Sequence, residues 1–151
     1  MAIWFHSSLR QWHIRTRALI RLTESVLTLA KHPTASLSLS LVGTSRMRQL
    51  NRTYRNRDYA TDVLAFPADP LKGQMDPFLG DVVICLPTAQ VQAATFGNTP
   101  DQELLRLLIH GILHLLGYDH EQSPQEAARM RRKEHALFNR LSPVPSLTKK
   151  T

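Results

Sequence analysis

The stretch from Thr99 to Gly117 dictates more of the fold than any other part of the chain. It opens on a complete helix start: a capping hydroxyl at Thr99, proline at the first helical position, and the Gln102 amide three residues after the cap. It closes on Gly117, a residue free to take the left-handed conformation that ends helices. In between, Leu104 to Leu116 is apolar on nearly every side, interrupted by Arg106, His110 and His114. A helix apolar all round has to be buried. This one is also too short to cross a bilayer, which takes about 20 apolar residues. The rest of the chain must therefore wrap around a central helix.

At 151 residues there is room for one domain of ordinary size. A short strand is expected at Ile3 to His6. Leu19, Leu22, Val26 and Leu29 recur at helical spacing and predict a first helix from about Leu9 to Lys31, stopped before Pro33. Ser36 to Val42 alternates strictly, with Leu37, Leu39 and Leu41 on one side, which is the period of a half-buried strand. Gly43, Thr44 and Ser45 should turn the chain into a second helix running to about Tyr54, with Met47, Leu50 and Tyr54 inward. Val63 to Phe66 and Gly80 to Leu86 read as two more strands, separated by a proline-containing loop from Pro67 to Leu79 that is either functional or mobile. Pro87 to Phe96 looks helical. Ser123, Pro124 and Glu126 start a last helix that reaches Leu141. The expectation is an α+β single domain over residues 1–141, with a small mixed sheet of about four strands against about five helices, and a frayed, flexible tail over 142–151.

The formal charge of +7 favours an acidic partner such as nucleic acid, and its distribution is uneven. Residues 1–60 hold ten basic and two acidic side chains, whereas residues 61–100 hold one basic and four acidic. The excess is N-terminal, on two helices that otherwise read as having solvated basic faces. The first apolar run, Ala2 to Phe5, falls far short of a secretory signal, which points to a cytoplasmic protein with no membrane partner. Arg10, Arg15, Arg17 and Arg21 precede any acid, as in organelle transit peptides, but the leucine stripe among and beyond them fits a core-facing helix better. The single Cys85 lies in an apolar run and reads as a buried, inert thiol.

The chemistry concentrates in His110 to His120, H-G-I-L-H-L-L-G-Y-D-H. His110 and His114 are one helical turn apart and share a face. Gly117 lets the chain swing back, bringing His120 to the same point. Three neutral imidazoles suit Zn2+ and leave its fourth position open, as catalytic sites do. His6, His13, His32 and His135 lack such spacing. The pattern also partly matches the H-E-x-x-H-x-x-G-x-x-H signature of metzincin peptidases, but the position of their general base is Gly111 here, which cannot take a proton.

The histidine motif resembles that of the YbeY endoribonucleases. So does a second block, in which Leu50, Asn51, Tyr54, Arg55, Asp58, Thr61 to Phe66 and Pro67 match L-N-x-x-Y-R-x-x-D-x-P-T-D-V-L-S-F-P, and Gly80 to Ile84 is similar to the family's G-D-I-V-I strand. Ala60 stands where that family has proline, which puts the loop's rigidity in question. Ala65 stands where it has serine, which removes a hydroxyl there. The resemblance implies a zinc-dependent endoribonuclease of single-stranded RNA, acting in ribosomal RNA maturation (the 16S 3′ end) and ribosome quality control beside the small ribosomal subunit. It also implies a role for Arg55 as a phosphate clamp; taken alone, Arg55 would be a solvated surface residue. Asp62, Asp119 and Glu121 are candidates for the general base, each with a plainer role as a cap, a ligand-orienting acceptor or a solvated acid. Two other functions compete: a ribosome-associated RNA-binding factor with a mainly structural zinc, and, with less support, a metzincin-like peptidase.

Overall fold

The computed structural model describes residues 2–69 and 75–151. In chain order the elements are β1 (Ile3–Ser7), β2 (Trp12–Ile14), α1 (Thr16–Leu29), β3 (Ser36–Val42), α2 (Thr44–Arg55), β4 (Val63–Pro67), β5 (Phe78–Cys85), α3 (Leu86–Phe96), α4 (Pro100–Leu115), α5 (Pro124–Leu141) and β6 (Thr148–Lys150). The result is an α+β domain. Its main sheet has the order β1-β3-β5-β4, with β1, β3 and β5 parallel and β4 antiparallel at the edge.

The strict alternation of β3 is the reason the sheet has two unlike faces. Leu37, Leu39 and Leu41 are fully buried in the major core with Val82 and Ile84 of β5, and against them lies α4. Leu104, Leu105, Leu108, Ile109, Ile112 and Leu113 of α4 are likewise fully buried, so the central helix is central in fact. α1 and α5 close this side. On the opposite face α2 covers only part of the sheet, through a small cluster of Val42, Met47, Leu64, Val83 and Cys85. Cys85 is buried as expected.

Three expectations differ from the structure. The first helix begins at Thr16 rather than Leu9, because Trp12 and Ile14 pair as β2 with β6. That pairing also docks the end of the chain, read from the sequence as a frayed tail. Leu147 is fully buried, and the Asp101 carboxylate in the first turn of α4 accepts from the backbone N–H groups of Leu147 and Thr148 and from the Thr148 hydroxyl. Tyr54, expected to face inward, is 61% exposed and meets Phe66 edge-on instead. Of the loop from Pro67 to Leu79, residues 70–74 lie outside the described residues.

Both strong helix starts are made as the sequence indicates. Thr99 accepts from the Gln102 N–H while the Gln102 side chain accepts from the Thr99 N–H, and Ser123 accepts from the Glu126 N–H. No helix among the described residues is long and apolar enough to cross a membrane.

Candidate metal centre

The last turns of α4 face the edge strand β4, and the end of the helix decides the geometry. Gly117 adopts φ +96°, turning the chain so that His120 returns toward His110 and His114. One ligand nitrogen or equivalent atom from each of the three residues lies within 4.8 Å of the others. The Nε2 atoms of His110 and His114 are 3.1 Å apart. Four ligands placed tetrahedrally at zinc–nitrogen distances would be about 3.3 Å from one another, so this pair already spans one edge of such a site.

Glu134 of α5 fixes which nitrogen is available. Its Oε1 lies 2.8 Å from His110 Nδ1 and accepts that ring's proton, leaving the Nε2 lone pair directed at the shared point. Burial, reinforced by the neighbouring His110 and His120, pushes His114 below the ordinary imidazole range and keeps it neutral. Three imidazoles whose ring nitrogens converge on one point form the donor set that a divalent transition metal requires. The residues fit such an ion. Glu134 was missed by sequence reasoning because it stands 24 residues from His110 on another helix, and its spacing within α5 carries no metal signature.

The same cleft, of about 480 Å3, is lined by Arg55, Asp62, Ala65, Gly111, Asp119 and Glu121 as well as the three histidines. Arg55 sits at the end of α2, donates from Nη2 to the Ala65 carbonyl at 2.8 Å, and stacks on Phe66 with 4.9 Å from Cζ to the ring centroid. The loop after α2 is held in place from below. Buried Asn51 donates to the Tyr59 carbonyl, and Arg48 makes two bonds to Asp58 at 2.9 and 3.0 Å. That pair holds Asp58 below the usual carboxylate range, through the Arg48 hydrogen bond first.

Asp62 accepts from the Val63 N–H and the Thr61 hydroxyl at Oδ1, and from Gln92 at Oδ2. Gln92 bridges onward to Glu103, which is fully buried and gripped by Arg106 at 2.8 and 2.6 Å. Asp119 accepts from the Glu121 N–H through Oδ1 and favours a proton on His114 electrostatically. Gly111 packs directly on the sheet. A Cβ there would lie 2.7 Å from Val82 Cγ1, so the position that carries the base in a metzincin is here a point of closest contact between helix and strand.

An α+β domain with three convergent histidines that could hold a metal, open to a cleft that also holds an arginine, is the class that fold and site define. The Endoribonuclease YbeY family model matches residues 6–142, and the chain belongs to that family. It is 42% identical over 121 residues to the Endoribonuclease YbeY of Sulfurihydrogenibium sp., covering 80% of each chain. Against the protein of the same name from Myxococcus xanthus it is 55% identical over 104 residues, which is 68% of this chain and 35% of that one. The solution structure of TM1509 from Thermotoga maritima superposes with a TM-score of 0.63 at 29% identity, covering 91% of this chain and 87% of the other.

Proposed function

We propose that this protein is a zinc-dependent endoribonuclease of single-stranded RNA that acts in maturation of the 16S ribosomal RNA 3′ end and in ribosome quality control. The reading places it in the cytoplasm beside the small ribosomal subunit, with the α+β domain, β6 included, as the hydrolase domain. One observation carries it: Arg55 and the three histidines, far apart in the sequence, line one cleft. Zn2+ would be held by His110, His114 and His120, and when bound it supplies a Lewis acid for a phosphodiester and activates water near neutral pH.

The chain's own residues do the rest. Arg55 is preoriented by the Ala65 carbonyl and the Phe66 ring, so its planar fork can grip a phosphate with little further ordering. Glu134 holds His110 in one tautomer. Both oxygens of Asp62 are engaged by neighbouring donors, which suits it to shaping the cleft wall. Asp119 has a bond through Oδ1 alone and sits in the field of His114, and we assign proton transfer to it.

Single-stranded RNA incubated with purified protein tests the reading. Cleavage should stop on chelation and in His114→Ala, and Asp119→Asn should lose rate while keeping its metal. Cleavage that survives chelation refutes the metal-dependent reaction. An inactive wild type in which His114→Ala loses thermal stability but keeps RNA affinity would favour the RNA-binding factor instead.

A further inference from the structure

The uncovered part of the sheet face beside α2 holds a second cavity, of about 560 Å3. Its floor is apolar, from Val42 and Val83, and its wall is aromatic, from Tyr54 and Phe66. Ser40 and the exposed carboxylate of Asp81 supply polar atoms. Phe66 joins this cavity to the metal cleft: Arg55, which lines the cleft, lies over the Phe66 ring, and Tyr54 meets that ring edge-on at 5.3 Å between centroids. A chain whose phosphate is gripped by Arg55 has its neighbouring nucleotide beside this aromatic pair.

We propose that the cavity is a subsite for one unpaired base of the RNA strand engaged at the metal cleft, and that Asp81 selects a base with an exocyclic amino group. This rests on the reading of RNA as substrate. Single-stranded RNA is recognised by stacking its splayed bases on aromatic rings and hydrogen-bonding their edges. An exposed tyrosine over an apolar floor offers the first of these, and a carboxylate, which only accepts, offers the second to the amino group of cytosine. Uracil presents a carbonyl oxygen at the same place and is repelled. The local charge suits an anionic strand, since Arg46 lines the cavity beside Tyr54.

The test is fluorescence anisotropy of short labelled oligocytidylate and oligouridylate with the full chain in chelator, so that nothing is cut. Wild type should bind oligocytidylate about tenfold more tightly than oligouridylate. Asp81→Asn should erase that preference while still binding oligouridylate. Tyr54→Ala should weaken both about tenfold, and Tyr54→Phe should restore them. Equal affinity of wild type for the two oligomers overturns the selection by Asp81, and wild-type binding by Tyr54→Ala overturns the subsite. Cleavage is not part of this readout. A protein that shows the binding pattern but cuts nothing once Zn2+ is restored keeps the subsite and loses the endoribonuclease reading, and the converse pattern loses only the subsite.

Discussion

Replacing Gly111 by alanine adds a single methyl group at the tightest point between α4 and the sheet. That methyl would lie 2.7 Å from Val82 Cγ1, 3.3 Å from its Cγ2 and 3.4 Å from Val63 Cγ2. Carbon atoms pack favourably at about 3.5–4.0 Å, so the closest contact is short by about 1 Å. Val82 cannot swing away easily, because it is fully buried on an interior strand and its β-branched side chain is stiff at χ1. The helix must move instead. Overpacking of this kind costs about 1–3 kcal/mol, while alanine gains about 1 kcal/mol over glycine in helix propensity, leaving a net loss of about 1 kcal/mol. For a chain of this length that lowers Tm by about 2–4 °C. The same displacement pulls His110 and His114 away from His120, so metal affinity should fall with stability. Thermal melts in chelator measure the first effect, and competition with a chromogenic zinc chelator measures the second. A Gly111→Ala protein with unchanged or raised Tm, as an uncrowded helical glycine would give, refutes the contact and the account of why this position lacks a side chain.

Three further expectations follow from the same geometry. Glu134→Gln keeps the volume but weakens the hold on His110 Nδ1, and should lower zinc affinity about 10- to 100-fold in chelator competition while Tm of the metal-free protein changes little; an unchanged affinity would remove Glu134 from the site. His114 is held neutral in the folded chain, so below the ordinary value of 6.5 the unfolded chain takes up a proton that the folded one resists. Metal-free protein should thus lose stability as pH falls below that value and gain none from this residue above it, and His114→Gln should flatten that part of a Tm-against-pH curve. Arg106→Met leaves the fully buried Glu103 carboxylate with only Gln92 and Asn98, and should destabilise by about 3 kcal/mol, the low end for breaking a buried pair because Arg106 is itself partly exposed. Urea denaturation checks this, and a midpoint equal to wild type would mean the pair is not a structural anchor.

Local signals were legible in the sequence and long-range pairings were not. The caps at Thr99 and Ser123, the alternation of β3 and the left-handed turn at Gly117 all rest on residues within one turn or strand of each other, and each is found in the structure. The convergence of His110, His114 and His120 was legible for the same reason. Trp12 to Ile14 is different. Three residues of alternating exposure become a strand only because Thr148 to Lys150 arrives from the other end of the chain, and Asp101 holds that end in place. Glu134 belongs to the same group, since nothing near it in sequence says that α5 will cross the end of α4. Tyr54 has helical spacing with Met47 and Leu50, yet of the three only Met47 is buried, and Tyr54 in the last turn meets Phe66 beside an open cavity instead of entering the core.

The two departures from the family's pattern show how one architecture absorbs a changed residue. Ala65 removes a hydroxyl beside Arg55, but the bond that orients Arg55 goes to the Ala65 carbonyl, which every residue possesses. The clamp is therefore indifferent to the side chain at position 65, provided the strand stays paired with β5, where Ala65 stands opposite Val82. Ala60 removes the constraint that proline would place on the loop into β4. Order there comes from elsewhere: the buried Asn51 amide on the Tyr59 carbonyl and the forked Arg48–Asp58 pair tie the loop to α2 from two sides. Exposed ion pairs contribute little individually, so most of this falls to Asn51, whose burial removes competition from water. The basic N-terminal half is thereby fastened to the strand that faces the histidines. The position of Arg55 over the metal cleft depends on that one amide more than on the arginines around it.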